Sequence, residues 1–197
     1  MLTRVHEARF IVTDFNPTVA EKPTHGGRFD GTPEDGYAFL YAASDDATAV
    51  SEALLRDIPI DDGGARSLLA TRLRGRRFGW LRTTCELQLV NLRSGVDLAA
   101  IGQDTRLTNA PAGEYVLTRQ WAVAIRDWAK WAQGFTWRSR REPDGYAYVF
   151  FGDRAAGPCL EEARDGMPLP PDERNIDAGF GRLYVEELLS RYRVTLI

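Results

Sequence analysis

Metal-binding side chains are scarce in this sequence. Its 197 residues include two cysteines and two histidines, and Cys85, Cys159, His6 and His25 complete no HxxxH or CxxC spacing. That argues against a zinc site and against any metal requirement. The two cysteines lie far apart; the sequence allows a disulfide between them but nothing in it needs one. Two idle, reduced thiols are therefore expected, as in a reducing compartment. There is no apolar run of the roughly 18 residues that a membrane helix needs, and the opening MLTRVHEARF has no apolar segment of a secretory signal. A cytoplasmic chain without membrane contact is expected. Lysine is also nearly missing, since all but Lys22 and Lys130 of the 25 basic residues are arginine. Arginine forks are well matched to phosphate and carboxylate. The net charge of −3 carries no polyanion-binding signature, so no direct nucleic-acid binding is expected, and the run RLRGRR (72–77) reads as a solvated turn.

No repeat, low-complexity tract or linker divides the chain, which reads as one domain over 1–197. The stretch from Asn16 to Gly36 is broken by proline and glycine and reads as an irregular loop. YAFLYAA (Tyr37–Ala43) reads as a short buried strand. Ser44, Asp45 and Asp46 are N-cap candidates for a helix reaching about Asp57, ahead of Pro59. Trp80 to Leu92 alternates with period two and predicts one half-buried strand. From Tyr115 to about Ala132, Leu117, Trp121, Ala124, Trp128 and Trp131 or Ala132 recur at spacings of three and four, predicting a helix with these tryptophans in the core. Phe135–Arg140 and Tyr146–Phe151 read as two strands joined by the turn EPDG, and Leu183–Tyr192 as a closing helix. Strands and helices mix without a regular βα alternation. An α+β fold is expected, with a central mixed or antiparallel sheet flanked by helices.

Four polar or amphipathic residues stand out by position. Arg28 follows Gly26 and Gly27 on the irregular loop, where a fixed guanidinium and a close backbone approach suit a phosphate; an exposed loop arginine, or one paired with Asp30, is the plainer reading of the local sequence. Glu52 lies at the edge of the helix stripe Ala49, Val50, Ala53 and Leu54. It could simply pair with Arg56 at i,i+4, or serve as a carboxylate that stabilises positive charge developing on a sugar. Ser139 shares strand parity with Phe135 and Trp137, and Tyr41 with Tyr37 and Phe39, so both should face the interior. A hydrogen-bonded core serine and an aromatic packing stripe are the plainer explanations.

Three ordered blocks resemble the RES family. LTRVHEARF (2–10) is similar to the family's usual start. GGRFDGTPEDGYAFLYAASDDATAVSEALLRD (26–57) resembles its glycine–arginine–aromatic loop, tyrosine-ended strand and glutamate-bearing helix. FTWRSRREPDGYAYVFFGDR (135–154) resembles its serine block. The chain departs from many members in carrying Phe29 and Asp30 in place of Trp–Asn.

The resemblance implies a fold like the ADP-ribosyltransferase toxins, with Arg28, Glu52 and Ser139 catalytic and Arg28, Tyr41 and Ser139 binding substrate. It also implies an enzyme that degrades NAD, as a phosphorylase or a glycohydrolase, with inorganic phosphate as the candidate co-substrate and no resident cofactor. A separate antitoxin protein is the implied partner, and homodimerisation is left open. Transfer of ADP-ribose to a macromolecule and non-catalytic binding of a nucleotide or partner are the alternatives.

Overall fold

The computed structural model describes residues 1–21, 26–155 and 159–197. In chain order its elements are β1 (Leu2–Glu7), β2 (Phe39–Ala43), α1 (Asp46–Val50) running on into a π-helical turn (Ser51–Leu55), β3 (Arg66–Leu68), β4 (Arg76–Thr83) and β5 (Leu89–Leu92). There follow α2 (Gly95–Ala100), α3 (Arg106–Asn109), α4 (Tyr115–Trp128), β6 (Gly134–Arg138), β7 (Tyr146–Phe151), β8 (Leu160–Glu162), α5 (Gly179–Ser190) and β9 (Val194–Leu196). Seven strands form a sheet in the order β5-β6-β7-β2-β1-β4-β8, while β3 and β9 form a separate parallel pair. Within the large sheet only β5 and β6 run parallel. Parallel neighbours need a long crossover, and here α2, α3 and α4 supply it. The α+β expectation holds. No helix among the described residues is long and apolar enough to cross a membrane.

Strand alternation divides the apolar residues between the two sheet faces. Phe39 faces the same side as Phe135, Trp137 and Phe151, forming one core with Ile125 of α4. On that side too, Phe78 and Trp80 pack with Val50, Leu54, Val185 and Leu189 in a second core beneath α1 and α5. Leu40, Ala42, Leu81 and Phe150 point the other way, into a third cluster. The first two cores meet where β1 and β2 adjoin. There the sheet is weakly closed: β1 pairs with β4 from Leu2 to Glu7 but with β2 only at Thr3↔Ala43. Beyond that pair the strands splay, leaving a wedge over the middle of the sheet.

The structure corrects three expectations. The single strand predicted over Trp80–Leu92 is two strands, with β4 beside β1 and β5 on the far edge beyond β6. Period-two alternation carries no information on whether consecutive residues stay in one place in a sheet, and residues 82–86 between the halves are exposed. The cysteines are not idle thiols. Thr83 pairs with Leu160 in the β4–β8 ladder, and the Thr84 amide donates to the Cys159 carbonyl at 2.9 Å. This brings Cys85 and Cys159 to a Cα–Cα distance of 5.1 Å, and they are joined in a disulfide. A sequence separation of 74 residues hides such a pair.

The third correction concerns α4. Its period is helical but its buried face is rotated by about one residue, roughly 100°. Tyr115, Thr118, Arg119, Ala122, Ile125 and Arg126 are buried, whereas Leu117, Trp128 and Trp131 are more than half exposed. Ala132 is buried as expected, while Trp121 is half-buried and meets Trp128 edge to face. Two arginines turn inward because each finds partners there. Arg126 binds Asp35 at 2.6 Å and Asp153 at 2.7 Å, with its guanidinium over the Tyr37 and Phe151 rings. Arg119 and Thr118 hold the loop described next.

Candidate active site

The loop bearing Arg28 is held through five backbone groups of Gly27, Arg28 and Phe29. The Gly27 carbonyl accepts from Arg119 Nε at 3.1 Å, that of Arg28 from Thr118 Oγ at 2.7 Å, and that of Phe29 from the Tyr37 hydroxyl at 2.7 Å. Gly27 N–H donates to Asp30 Oδ2 at 2.6 Å. The Tyr41 hydroxyl donates to Asp30 Oδ1 at 2.8 Å and accepts from the Phe29 amide at 2.9 Å. A Cβ on Gly27 would come within 2.6 Å of Asp30 Oδ1 and 2.8 Å of that hydroxyl. The close approach its glycine permits is thus first an internal one. Gly26, at φ +88°, makes the left-handed bend.

Asp30 therefore points at Tyr41 and Gly27 and away from Arg28. Burial pushes its carboxyl above the ordinary value, against the opposing pull of the Gly27 amide and the Tyr41 hydroxyl. Burial, and then the Asp30 charge, push the Tyr41 phenol far up, so it remains a neutral donor. Phe29 is fully buried and meets Phe135 and Trp137 edge to face, at ring-centroid distances of 5.4 and 5.1 Å. It anchors the loop as an aromatic should.

Arg28 itself is 1% exposed, as are Arg126 and Arg174. The other two are paired, Arg126 with Asp35 and Asp153, and Arg174 with Glu162 at 2.7 Å. Among the described residues Arg28 has no carboxylate partner. Its guanidinium donates to the Ala110 carbonyl at 3.2 Å, lies 5.4 Å from the Tyr115 ring centroid, and leaves Nε buried without a partner. A buried cation with most of its five donors unused is costly unless something anionic completes it.

Glu52 comes from the opposite wall. Asp45 caps α1 by accepting from the Thr48 amide at 2.8 Å. Asp46 ties the helix down, accepting from Thr3 at 2.6 Å, Trp80 at 2.8 Å and Tyr184 at 2.5 Å. The helix then widens into the π turn that carries Glu52, a local irregularity common at functional sites. Val50, Ser51, Leu54 and Leu55 are buried, and Glu52 stands half-buried at their edge, where periodicity predicted it. It does not pair with Arg56, which instead faces Asp57 at 3.6 Å. Glu52 Oε1 accepts from Ser139 Oγ at 2.6 Å and from the Arg140 amide at 3.2 Å.

Ser139, just past β6, is buried as its parity requires. Its hydroxyl also accepts from the amides of Arg141 at 3.3 Å and Glu142 at 3.2 Å. A hydroxyl has one proton and two lone pairs. Both lone pairs are occupied, so the proton is directed to Glu52. The hydroxyl thus holds the carboxylate in place, with its own oxygen fixed by two amides.

These residues surround one cleft of about 330 Å³ above the splay of β1 and β2. Arg28, Asp30, Tyr41, Glu52 and Trp137 line it, while Ser139 stands behind Glu52 and outside the lining. Arg56, Arg72 and Arg76 also line it. In the sequence Arg56 stands out only as a partner for Glu52, and Arg72 and Arg76 as part of a solvated turn. That turn is not simply solvated: Arg76 and Arg72 reach the cleft, and Arg77 donates to the Pro171 carbonyl at 2.8 Å. The arginine richness of RLRGRR was the available signal, but only the β1–β4 pairing brings it to the site. Among the described residues no group of three or more His, Cys, Asp or Glu is placed to hold a metal.

A sheet opened at one strand junction, with a buried guanidinium that has no carboxylate partner among the described residues and a fixed carboxylate in the same lining, defines a cleft suited to an anionic ligand. Over residues 1–172 the sequence matches the model of the RES domain, and the chain belongs to that family. No curated protein matches the sequence. Among solved structures, the fold is similar to a chain of the crystal structure of the M. tuberculosis MbcT–MbcA toxin–antitoxin complex. The TM-score is 0.62 and the identity 16%, over 96% of this chain and 88% of that one.

Proposed function

We propose that this chain degrades NAD by breaking the bond between nicotinamide and ribose, as the toxin of a toxin–antitoxin pair whose antitoxin is a separate protein. Membership of the RES family supports the activity, and the likeness to a chain of a toxin–antitoxin complex supports the biological setting. The observation that carries the reading is the meeting, in one cleft, of the unpaired buried Arg28 with a Glu52 fixed by Ser139.

NAD brings what each group lacks. Its diphosphate supplies the anion for Arg28, and the half-buried Tyr41 offers aromatic surface. Glu52, with Oε1 bound by Ser139, is left with Oε2 for the ribose. As the C1″–N bond breaks, its electron pair moves to the pyridinium nitrogen and cancels the charge there. Nicotinamide leaves neutral, so no general acid is required. Positive charge passes to the ribose, where the Glu52 carboxylate stabilises it. An oxygen of hydrogen phosphate then donates its electron pair to C1″, giving ADP-ribose 1″-phosphate. If water is the acceptor, the product is ADP-ribose and a proton passes to solvent.

Purified chain incubated with NAD, with and without inorganic phosphate, tests this by product analysis. Free nicotinamide in equal amount to NAD lost is expected, with the sugar phosphate appearing only when phosphate is present if the enzyme is a phosphorylase. Label from NAD accumulating on protein or nucleic acid would assign the chain to ADP-ribose transfer, and intact NAD would refute the proposal.

A further inference from the structure

Four arginines besides Arg28 border the cleft: Arg4, Arg56, Arg72 and Arg76. Arg4 is engaged by the carbonyls of Val12 at 2.9 Å and Asp14 at 3.0 Å. The other three come from different segments. Arg56 ends the π turn, Arg72 sits on a short 3-10 turn, and Arg76 opens β4 opposite Glu7 of β1. Arg76 reaches towards the helix wall, with a weak contact to the Ala53 carbonyl at 3.4 Å.

The nearby carboxylates offset this group only in part: burial lowers the Arg56 pKa, but the charges of Tyr115, Asp57, Tyr41 and Glu52 raise it overall, whereas Arg76 has no such net support. Glu7 is held by Arg9 at 2.6 Å, and Glu52 is held by Ser139. Asp57, partly exposed, stands 3.6 Å from Arg56 Nε, too far for a hydrogen bond, and that Nε is buried without one. The mutual repulsion is felt in the titration of Arg76. Burial first, then Arg72, and further Arg56 draw its pKa down, while Glu7 alone opposes them. Guanidiniums gathered in a cleft with unused donors are the arrangement that phosphate recognition requires.

We propose that Arg56, Arg72 and Arg76 form a phosphate subsite in the cleft, separate from Arg28. This rests on the reading of the cleft as the NAD site. The occupant is a phosphate group, supplied either by the NAD diphosphate or by inorganic phosphate as acceptor. In the first case the arginines hold the far end of the dinucleotide while Arg28 holds the other. In the second they retain the nucleophile beside the ribose, and capture by phosphate prevails over capture by water.

Calorimetric titration of the folded chain with inorganic phosphate and with ADP-ribose tests the subsite in the wild type, in Arg72→Gln and in Arg72→Gln/Arg76→Gln. The double variant is expected to bind one of the probes roughly tenfold or more weakly, the loss that charged hydrogen bonds imply. Arg72 is exposed, so the single variant should fold normally and show a smaller loss in the same direction. Weakening of inorganic phosphate alone assigns the acceptor; weakening of ADP-ribose alone assigns the substrate diphosphate. Unchanged binding of both probes in a double variant that melts as the wild type does overturns the proposal, as does a wild-type chain that binds neither. No step needs turnover. A chain that binds phosphate through these arginines yet leaves NAD intact would refute the proposed function and retain the subsite.

Discussion

The Ser139 hydroxyl has no capacity to spare: it accepts from two backbone amides and donates to Glu52. Replacing Ser139 by alanine leaves the Arg141 and Glu142 amides unanswered and Glu52 Oε1 with only the Arg140 amide. A stability loss of about 1–2 kcal/mol is expected, read by denaturant titration. With it should come a fall of roughly tenfold in turnover from a misplaced carboxylate. Full activity in a folded variant would reduce the serine to a packing role. The inward turn of Ser139 and Glu52 was legible in the sequence because helix edge and strand parity are local properties. The fate of Asp30 was not. Its turn onto Tyr41 depends on a strand packed against the loop, and no spacing of residues announces it.

Within elements, periodicity gave the type of structure more reliably than its partner. The α4 helix forms where it was expected but buries Arg119 and Arg126 in preference to its tryptophans. Those arginines serve the Gly27 carbonyl and the Asp35–Asp153 pair, which lie far from them in sequence. The β4–β5 break and the disulfide escaped for the same reason, since both follow from which edge of the sheet each strand joins. Strand β1 carries a consequence of its own. His6 is buried, and its Nδ1 lies 3.0 Å from the Glu7 carbonyl; a carbonyl only accepts, so the proton is on Nδ1 and Nε2 is bare.

Burial, and next the Arg4 charge, depress the His6 pKa to about 4; Arg77 adds to this, while the Glu7 carbonyl and Asp14 oppose it. Above about pH 6.5 the imidazole is neutral in both folded and unfolded chains. As pH falls towards 4, the unfolded chain takes up a proton that the folded chain refuses. Stability is therefore lost across that window, by roughly 2–4 kcal/mol. Denaturant titrations between pH 7 and 4 should show this slope, and His6→Gln should flatten it. An equal slope in the variant would mean that His6 is protonated in the fold.

At the scale of the whole molecule, the cleft follows from an incomplete sheet. Had β1 and β2 paired along their length, the loop of Arg28 and the π turn of Glu52 would sit over a closed surface. Their single paired position at Thr3↔Ala43 opens a wedge between two cores, and residues from β1, the Arg28 loop, β2, α1 with its π turn, the 72–76 turn, β6 and β7 meet there. The mixture of helices and strands pointed to the fold class, and the three family-like blocks pointed to Arg28, Tyr41, Glu52 and Ser139. The splay and the arginines on the β4 side are products of long-range pairing. They became visible only in three dimensions.

The central claim is that the Glu52 carboxylate stabilises the ribose as nicotinamide leaves. Its most direct test is the rate of nicotinamide release from NAD by wild-type chain and by Glu52→Gln, with circular dichroism establishing that the variant is folded. The amide keeps an oxygen for Ser139 and removes the charge, so a loss of about 100-fold or more is expected. Release by the folded variant at the wild-type rate would contradict the account.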